Sequence, residues 1–242
     1  MKRSLWEPKR RIERSYARSL KKIFKFVEKA IIGITDPFSM IGVLKSLTQT
    51  KEFQDHAETT ALKMATHVFT DAGRTWREAA KVNGQGKEIY EALKNEMGTE
   101  VGDVFREIVK ENSKLIKTIP ESMTEYVSRY VAKEAQKGRR HTDIAKDLQE
   151  KFPELNKSRA TLIARTESSK ASTALTKARS ERMGIRWYVW KTSEDSRVRS
   201  SHRHMNDVLV NWNDPPDPEA LKGEKSYGHY APGDIFNCRC YP

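Results

Sequence analysis

The sequence lacks most of the features that mark enzymes and disulfide-rich secreted proteins. Only two cysteines occur among its 242 residues, and both lie in the tetrapeptide Asn237-Cys238-Arg239-Cys240. A disulfide between thiols one residue apart would be strained, which favours reduced thiols or metal ligands. A phosphate-binding loop, a Gly-x-Ser-x-Gly elbow and a His-Glu-x-x-His pair are absent. The sequence therefore predicts a protein without catalytic residues.

Long hydrophobic runs are also missing. Apolar runs reach only five residues, as in Ala30–Ile34, far short of the roughly 20 residues that a membrane-spanning helix needs. The basic N-terminus lacks the apolar core of a secretory signal peptide. We therefore expect no membrane span, and we expect the chain to be made in the cytoplasm.

Acidic residues are outnumbered by basic ones, which gives a formal net charge of +12. The excess lies at the two ends: residues 1–35 carry 11 basic and 3 acidic side chains, and residues 139–242 carry 19 and 14. Residues 36–138, with 15 and 16, are nearly neutral. Cationic ends are typical of proteins with a polyanionic partner. We interpret the three ranges as a basic amphipathic helix, a helical region and a C-terminal domain.

Residues 9–32 show the strongest amphipathic helix pattern. Apolar side chains recur every three or four residues from Ile12 to Ile31, and most of the remaining surface is cationic. Such a face suits nucleic acid, because neutralising phosphates releases counterions. It equally suits an anionic membrane surface or simple solvation. The candidate nucleic-acid-binding residues are Lys9, Arg10, Arg11, Arg14, Arg18, Lys21, Lys22 and Lys25.

Helical periodicity continues through most of the chain. Asp36-Pro37 is typical of a helix start, and residues 51–80 carry a clean apolar stripe. Phe152-Pro153 predicts a break in the helical pattern. After that break we expect Asn156 to cap a long helix that ends near Met183.

The periodicity changes after Gly184. Residues 185–190 alternate between two faces and are rich in aromatic side chains, which predicts a strand. Residues 211–234 are rich in proline and glycine and are expected to form a loop. The predicted fold class is α+β, with a mostly helical N-terminal two-thirds followed by a small mixed α/β C-terminal module.

Charged residues follow the predicted strand directly. In an extended chain Asp195, Arg197 and Arg199 share one face, because side chains repeat every second residue. A carboxylate between guanidinium groups can hold them by paired hydrogen bonds, as either a structural clasp or part of an anion site. The predicted structural cluster consists of Asp195, Arg197, Arg199, His202, Cys238 and Cys240.

Histidines in the same region add a candidate zinc site to the two thiols. Zinc takes four nitrogen and sulfur ligands in a tetrahedral arrangement. His204 competes as a ligand, and the Cys-x-Cys spacing is tighter than in common zinc knuckles. The alternative is a pair of reduced thiols beside an ordinary histidine, with no cofactor. The candidate metal ligands are His202, His229, Cys238 and Cys240.

Five features occur in a fixed order in the C-terminal part of the chain. They are Ala164-Arg165-Thr166-Glu167, a turn at Gly184, a strand ending at Trp190, Asp195-x-Arg197-Val198-Arg199-x-x-His202, and Asn237-Cys238-Arg239-Cys240. This ordered set resembles the C-terminal domain of the phage Mu F-like minor head proteins, the phage head morphogenesis family, over about residues 140–242. Two departures stand out. Met205-Asn206-Asp207 fills a turn where many members have glycine, and Ile235-Phe236 stands where many have histidine.

The resemblance implies that residues 139–242 form a head morphogenesis domain of a minor capsid protein. Such a protein would be made in a bacterial host and would reside in the virion of a tailed bacteriophage, in the head interior or at the portal vertex. The implied partners are the portal protein, the major capsid or scaffolding protein, and double-stranded DNA. The alternative is a metal-dependent nuclease, in which His202, His204 and Asp195 act with the cysteines around a zinc ion.

Overall fold

The structure, a computed structural model, describes residues 4–84 and 86–242. Helix accounts for 66% of it, and a small two-stranded sheet lies in the C-terminal part, which confirms the predicted α+β class. Within the described ranges, no helix is long and apolar enough to cross a membrane. The α-helices described are α1 (Arg10–Ile31), α2 (Pro37–Leu47), α3 (Lys51–Ala80), α4 (Gly86–Ala92), α5 (Glu100–Lys117), α6 (Ile119–Ala135), α7 (His141–Arg182) and α8 (Ser200–Arg203). The strands are β1 (Trp187–Val189) and β2 (Leu209–Asn211).

The first two helices form as the sequence pattern predicts. Along α1 the apolar stripe from Ile12 to Ile31 is buried. Burying one large apolar side chain contributes about 1.5–3 kcal/mol, so packing of this stripe stabilises α1 more than helix propensity does. The Asp36 carboxylate caps α2 by accepting a hydrogen bond from the Ser39 backbone N–H at 2.8 Å, and Pro37 occupies the first helical turn.

The long helix α7 differs from the prediction at Pro153. The helix continues through Pro153 for 42 residues in all, so the predicted break and the predicted cap at Asn156 are both wrong. Asn156 is buried within the helix, where its amide donates to the Glu28 carboxylate at 2.7 Å. Phe152 is also buried. Because tertiary contacts hold both sides of the proline, the loss of one backbone donor does not end the helix.

Contacts along the chain define two compact units. Unit 1 comprises the described residues up to Glu13, Met64–Ile108 and Arg165–Pro242. Unit 2 comprises Arg14–Lys63 and Val109–Ala164, and within it α2 packs against α6. The division into three ranges made from charge and pattern stays a prediction. All residues of the predicted C-terminal cluster lie in unit 1.

A small apolar core in unit 1 forms around β1 and β2. The two strands are antiparallel, with Tyr188 opposite Val210, and the strand predicted after Gly184 is thereby confirmed. Trp190, directly after β1, is completely buried in this core. Cys238 and Cys240 belong to the same core, which brings the end of the chain beside β1.

A tight turn follows α8 at the first position where the sequence departs from the family pattern. Asp207 has a φ of 67°, in the left-handed region that favours glycine but that aspartate tolerates. Its backbone N–H donates to the Trp190 carbonyl at 2.8 Å. Aspartate therefore supplies the positive φ of this turn.

Candidate functional site

The part of α7 that belongs to unit 1 begins at Arg165, and its first turn contacts the tetrapeptide Asn237-Cys238-Arg239-Cys240. We call this segment the terminal tetrapeptide. The Asn237 backbone N–H donates to the Thr166 hydroxyl at 2.9 Å, and Arg165 donates to the Asn237 side-chain oxygen at 2.6 Å. Asn237 has a φ of 57°, which asparagine adopts more readily than most residues. Two motifs about seventy residues apart in sequence are therefore in direct contact.

A second contact with α7 lies about two helical turns further along. The Thr173 hydroxyl donates to the Pro232 carbonyl at 2.5 Å. Gly233, with a φ of 95°, follows at a point where a Cβ atom would lie 2.7 Å from the Thr173 hydroxyl and 2.8 Å from the Ser169 hydroxyl. The small hydroxyl residues of α7 thus position the C-terminal loop. Sequence reasoning did not assign them this role.

Three of the four predicted metal ligands meet beneath this loop. The Nδ1 atom of His202 lies 3.5 Å from the Cys238 sulfur and 3.4 Å from the Cys240 sulfur. His202 is 2% exposed, Cys238 4% and Cys240 1%. Both cysteines are free thiols. Among the described residues these three form a group whose ligand atoms all lie within 4.8 Å of one another.

The opposite edge of the His202 ring is held by two oxygen acceptors. Nε2 lies 2.8 Å from the Tyr230 hydroxyl and 3.4 Å from the Glu219 carboxylate. The Tyr230 hydroxyl itself donates to Glu219 at 2.6 Å, so its oxygen accepts from His202. The hydrogen-bond pattern therefore assigns the ring proton to Nε2 and leaves the Nδ1 lone pair facing the two sulfurs.

The two thiols have opposite pKa shifts. The hydrogen bond with Cys240 lowers the pKa of Cys238 despite its burial. The same hydrogen bond and burial raise the pKa of Cys240. The Cys240 backbone N–H also points at the Cys238 sulfur, at 3.4 Å. Cys238 is thus the sulfur on which negative charge is best stabilised.

His229 lies apart from this group. Its Nδ1 atom is 2.7 Å from the Pro215 carbonyl, and the residue is exposed. His204, the competing candidate, is exposed as well. Glu219 and Tyr230, which sequence reasoning missed, contact His202 instead. A buried glutamate in a proline-rich loop gives no local sequence signal of its role.

The Asp195 segment forms a turn and is not extended as expected. The Arg197 backbone N–H and guanidinium both donate to Asp195, at 2.9 and 3.0 Å, and Arg239 lies 3.4 Å away. Burial alone would raise the pKa of Asp195, but these hydrogen bonds and positive charges more than offset it and lower the pKa. Arg199 points elsewhere: it lies over the Phe236 ring and donates to the Phe236 carbonyl at 2.9 Å. The clasp therefore uses Arg239 where Arg199 was expected.

A buried ion pair elsewhere in unit 1 was not predicted. Arg179 on α7 is completely buried and donates to both oxygens of Glu96, at 2.7 and 2.8 Å. Its guanidinium also lies over the Phe69 ring, 4.9 Å from the centroid. The partners are 83 positions apart in sequence, so no spacing rule could pair them.

The cationic residues of α1 are mostly exposed. Of the eight candidates, seven are exposed and Lys9 is half-buried. Arg11 pairs with Asp71 at 2.6 Å in unit 1. Five of the remaining candidates lie in unit 2, and in the described part of the chain none of these five pairs with a carboxylate. We call them the α1 cation set: Arg14, Arg18, Lys21, Lys22 and Lys25.

The C-terminal region of the chain is similar to a known protein family. Residues 125–241 match the family model described as Phage Mu protein F like protein, which confirms the predicted resemblance of the C-terminal region. A Haemophilus influenzae protein described as "Uncharacterized protein" is 31% identical over 163 residues, covering 63% of this chain and 34% of that relative. The chain thus spans about a third of the length of that relative. No solved structure matches the chain.

Proposed function

We propose that this protein is a head morphogenesis protein of a tailed bacteriophage. It would join the prohead as a minor capsid component and contact the portal protein and the major capsid or scaffolding protein. The match of residues 125–241 to the phage Mu F-like family carries this proposal. The burial of the motif residues supports it, because His202, Cys238 and Cys240 hold the end of the chain in place and are closed to a bulky substrate.

The assembly role is tested on particles. Proheads and mature heads are purified from cells producing the phage, and their proteins are identified by mass spectrometry after chemical cross-linking. We expect this chain in proheads, at few copies, with cross-links to the portal protein. Absence of the chain from both proheads and mature heads would overturn the proposal. A gene neighbourhood without portal and capsid genes would argue against it independently.

A contact with double-stranded DNA is the second part of the proposal. The α1 cation set presents five exposed positive charges on one helix, whose apolar side is already buried. Each cation that neutralises a phosphate adds about 0.9 to the steepness of the salt dependence. The surface would therefore bind DNA without sequence preference and with strong dependence on salt.

Replacing the α1 cation set with glutamine is expected to weaken DNA binding and to flatten its salt dependence, by about 0.9 in slope for each phosphate that is no longer neutralised. Fluorescence anisotropy with a short duplex across a salt series measures both quantities. The control replaces five other exposed cations of unit 2 that have no carboxylate partner in the described chain. They are Lys45, Lys51, Lys63, Lys133 and Lys146.

Because both variants remove five positive charges, a difference in DNA binding between them reports on the α1 surface and not on net charge. Equal loss of binding in the two variants would reject the α1 surface. Undetectable binding of the unaltered protein at low salt would reject DNA contact altogether. Recovery of a shortened duplex from the same samples would instead favour the metal-dependent nuclease and overturn the non-enzymatic assignment.

A further inference from the structure

We propose that His202, Cys238 and Cys240 bind one structural Zn²⁺ ion in unit 1. The proposal is independent of the role in head assembly, and either can fail without the other. The ion would tie the terminal tetrapeptide to α8, across 36 residues of mainly irregular chain.

The spacing of the three ligand atoms fits a tetrahedral zinc ion. With Zn–S bonds of about 2.3 Å and Zn–N bonds of about 2.0–2.1 Å, nitrogen and sulfur ligands lie about 3.5 Å apart. The observed separations from His202 Nδ1 are 3.5 Å to Cys238 and 3.4 Å to Cys240. The imidazole nitrogen therefore already has the separation from both sulfurs that the ion requires, and the three ligand atoms all lie within 4.8 Å of one another.

The surroundings of His202 match those of a zinc-bound imidazole. Zinc-ligating histidines commonly donate their second ring N–H to a carboxylate or similar acceptor, which fixes the tautomer and the ring plane. Here Nε2 donates to Tyr230, which donates in turn to Glu219. Ser201 also donates to Glu219, at 3.0 Å, so the carboxylate is itself held in place. This relay directs Nδ1 at the sulfurs.

The chemistry of the donor set selects the metal. Two thiolates and an imidazole suit zinc, whereas carboxylate and carbonyl oxygens suit magnesium or calcium. Two thiolates also neutralise the charge of Zn²⁺, so the ion adds no net charge to a core that contains the completely buried Trp190. The two thiol protons leave to solvent as the Zn–S bonds form.

Among the described residues no fourth His, Cys, Asp or Glu joins this group, so a water molecule would take the fourth tetrahedral position. Cys238 borders a cleft of unit 1 that is also lined by Arg165, Ser172 and Arg239. The ion and the water would reach the ligands from this side, since Cys240 and His202 do not line the cleft and are almost completely buried. An open position is shared with catalytic zinc sites, and the DNA assay described above detects any cleavage.

The full-length chain is purified under reducing conditions, and its metal content is measured by mass spectrometry. We expect one zinc per chain. Replacing zinc with Co²⁺ is expected to give the thiolate-to-cobalt charge-transfer band and the ligand-field bands of a tetrahedral site. His202→Gln and the double variant Cys238→Ser/Cys240→Ser are expected to lose the ion. The control variants His204→Gln and His229→Gln keep it.

The relay gives a further, graded readout. Glu219→Gln leaves all three ligands in place and is expected to weaken zinc binding about 10- to 100-fold in competition with a chelator. If the ligand variants do not fold, the cobalt spectrum of the unaltered chain still shows whether thiolates bind the metal in a tetrahedral site. A spectrum without thiolate charge transfer, a chain that takes up no zinc, copper in place of zinc, or zinc retained in folded ligand variants would each overturn the proposal.

Discussion

Replacing Arg179 with methionine is expected to lower the free energy of unfolding by about 3–5 kcal/mol. The guanidinium is completely buried and pairs with both oxygens of Glu96, which is itself 7% exposed. Removing the arginine leaves a carboxylate buried without its positive partner. Such an uncompensated charge costs more than the pair contributes when intact. Urea unfolding followed by tryptophan fluorescence and circular dichroism measures the loss.

The matched control is Lys94→Met, which breaks the exposed pair of Lys94 with Glu91. Exposed pairs contribute little, so a change below about 1 kcal/mol is expected. The double variant Arg179→Met/Glu96→Leu is expected to recover most of the loss, because an apolar pair can replace a buried ion pair. A single variant no worse than the control, or a double variant no better than the single, would contradict this account.

Much of the helical structure could be predicted because one buried face leaves a periodic record in the sequence. Residues 51–80 form α3 with those same bounds, and the cap at Asp36 follows from local chemistry. Pro153 could not be placed correctly by local rules. The contacts of Asn156 with Glu28 are formed 128 positions apart, and they override the break that proline suggests.

The proximity of His202, Cys238 and Cys240 could be predicted because histidine and cysteine are rare in this sequence. Two cysteines in one tetrapeptide mark a site on their own, and His202 is the histidine that the fold brings to them. The sequence could not exclude His229 from the candidate metal ligands, since loop residues carry no periodicity that shows which way their side chains point. For the same reason, the contact of Glu219 with His202 could not be predicted. The sequence also could not predict the two compact units, because each consists of segments that are distant in the chain.

The Asp195 clasp shows how a correct residue can be assigned a wrong geometry. The alternation of Asp195, Arg197 and Arg199 favours an extended chain, yet the segment turns, with the Val198 N–H donating to the Asp195 carbonyl at 3.2 Å. The Asp195 side chain also accepts the Arg197 N–H, a local turn that competes with strand structure. The second cation then comes from Arg239, near the end of the chain.

Replacing Gly233 with alanine is expected to lower the free energy of unfolding by about 2–4 kcal/mol, from left-handed strain and a lost hydrogen bond together. The added Cβ would lie 2.7 Å from the Thr173 hydroxyl, 2.8 Å from the Ser169 hydroxyl and 3.3 Å from the Cys240 carbonyl. Thr173 cannot withdraw without losing its bond to the Pro232 carbonyl. Thermal and urea unfolding measure the effect. Because Cys240 must also shift, the same variant is expected to bind zinc more weakly.

Gly223 provides the control, since its φ is 71° and a Cβ there meets nothing within 4 Å. Gly223→Ala therefore carries only the backbone strain, about 1–2 kcal/mol. Adding Ser169→Ala to Gly233→Ala removes one of the two clashing hydroxyls and is expected to restore part of the loss. Equal destabilisation by the two glycine variants, with no recovery in the double variant, would mean that close packing against α7 does not position the terminal loop. In that case the contacts of Thr166 and Arg165 with Asn237 would position the tetrapeptide on α7.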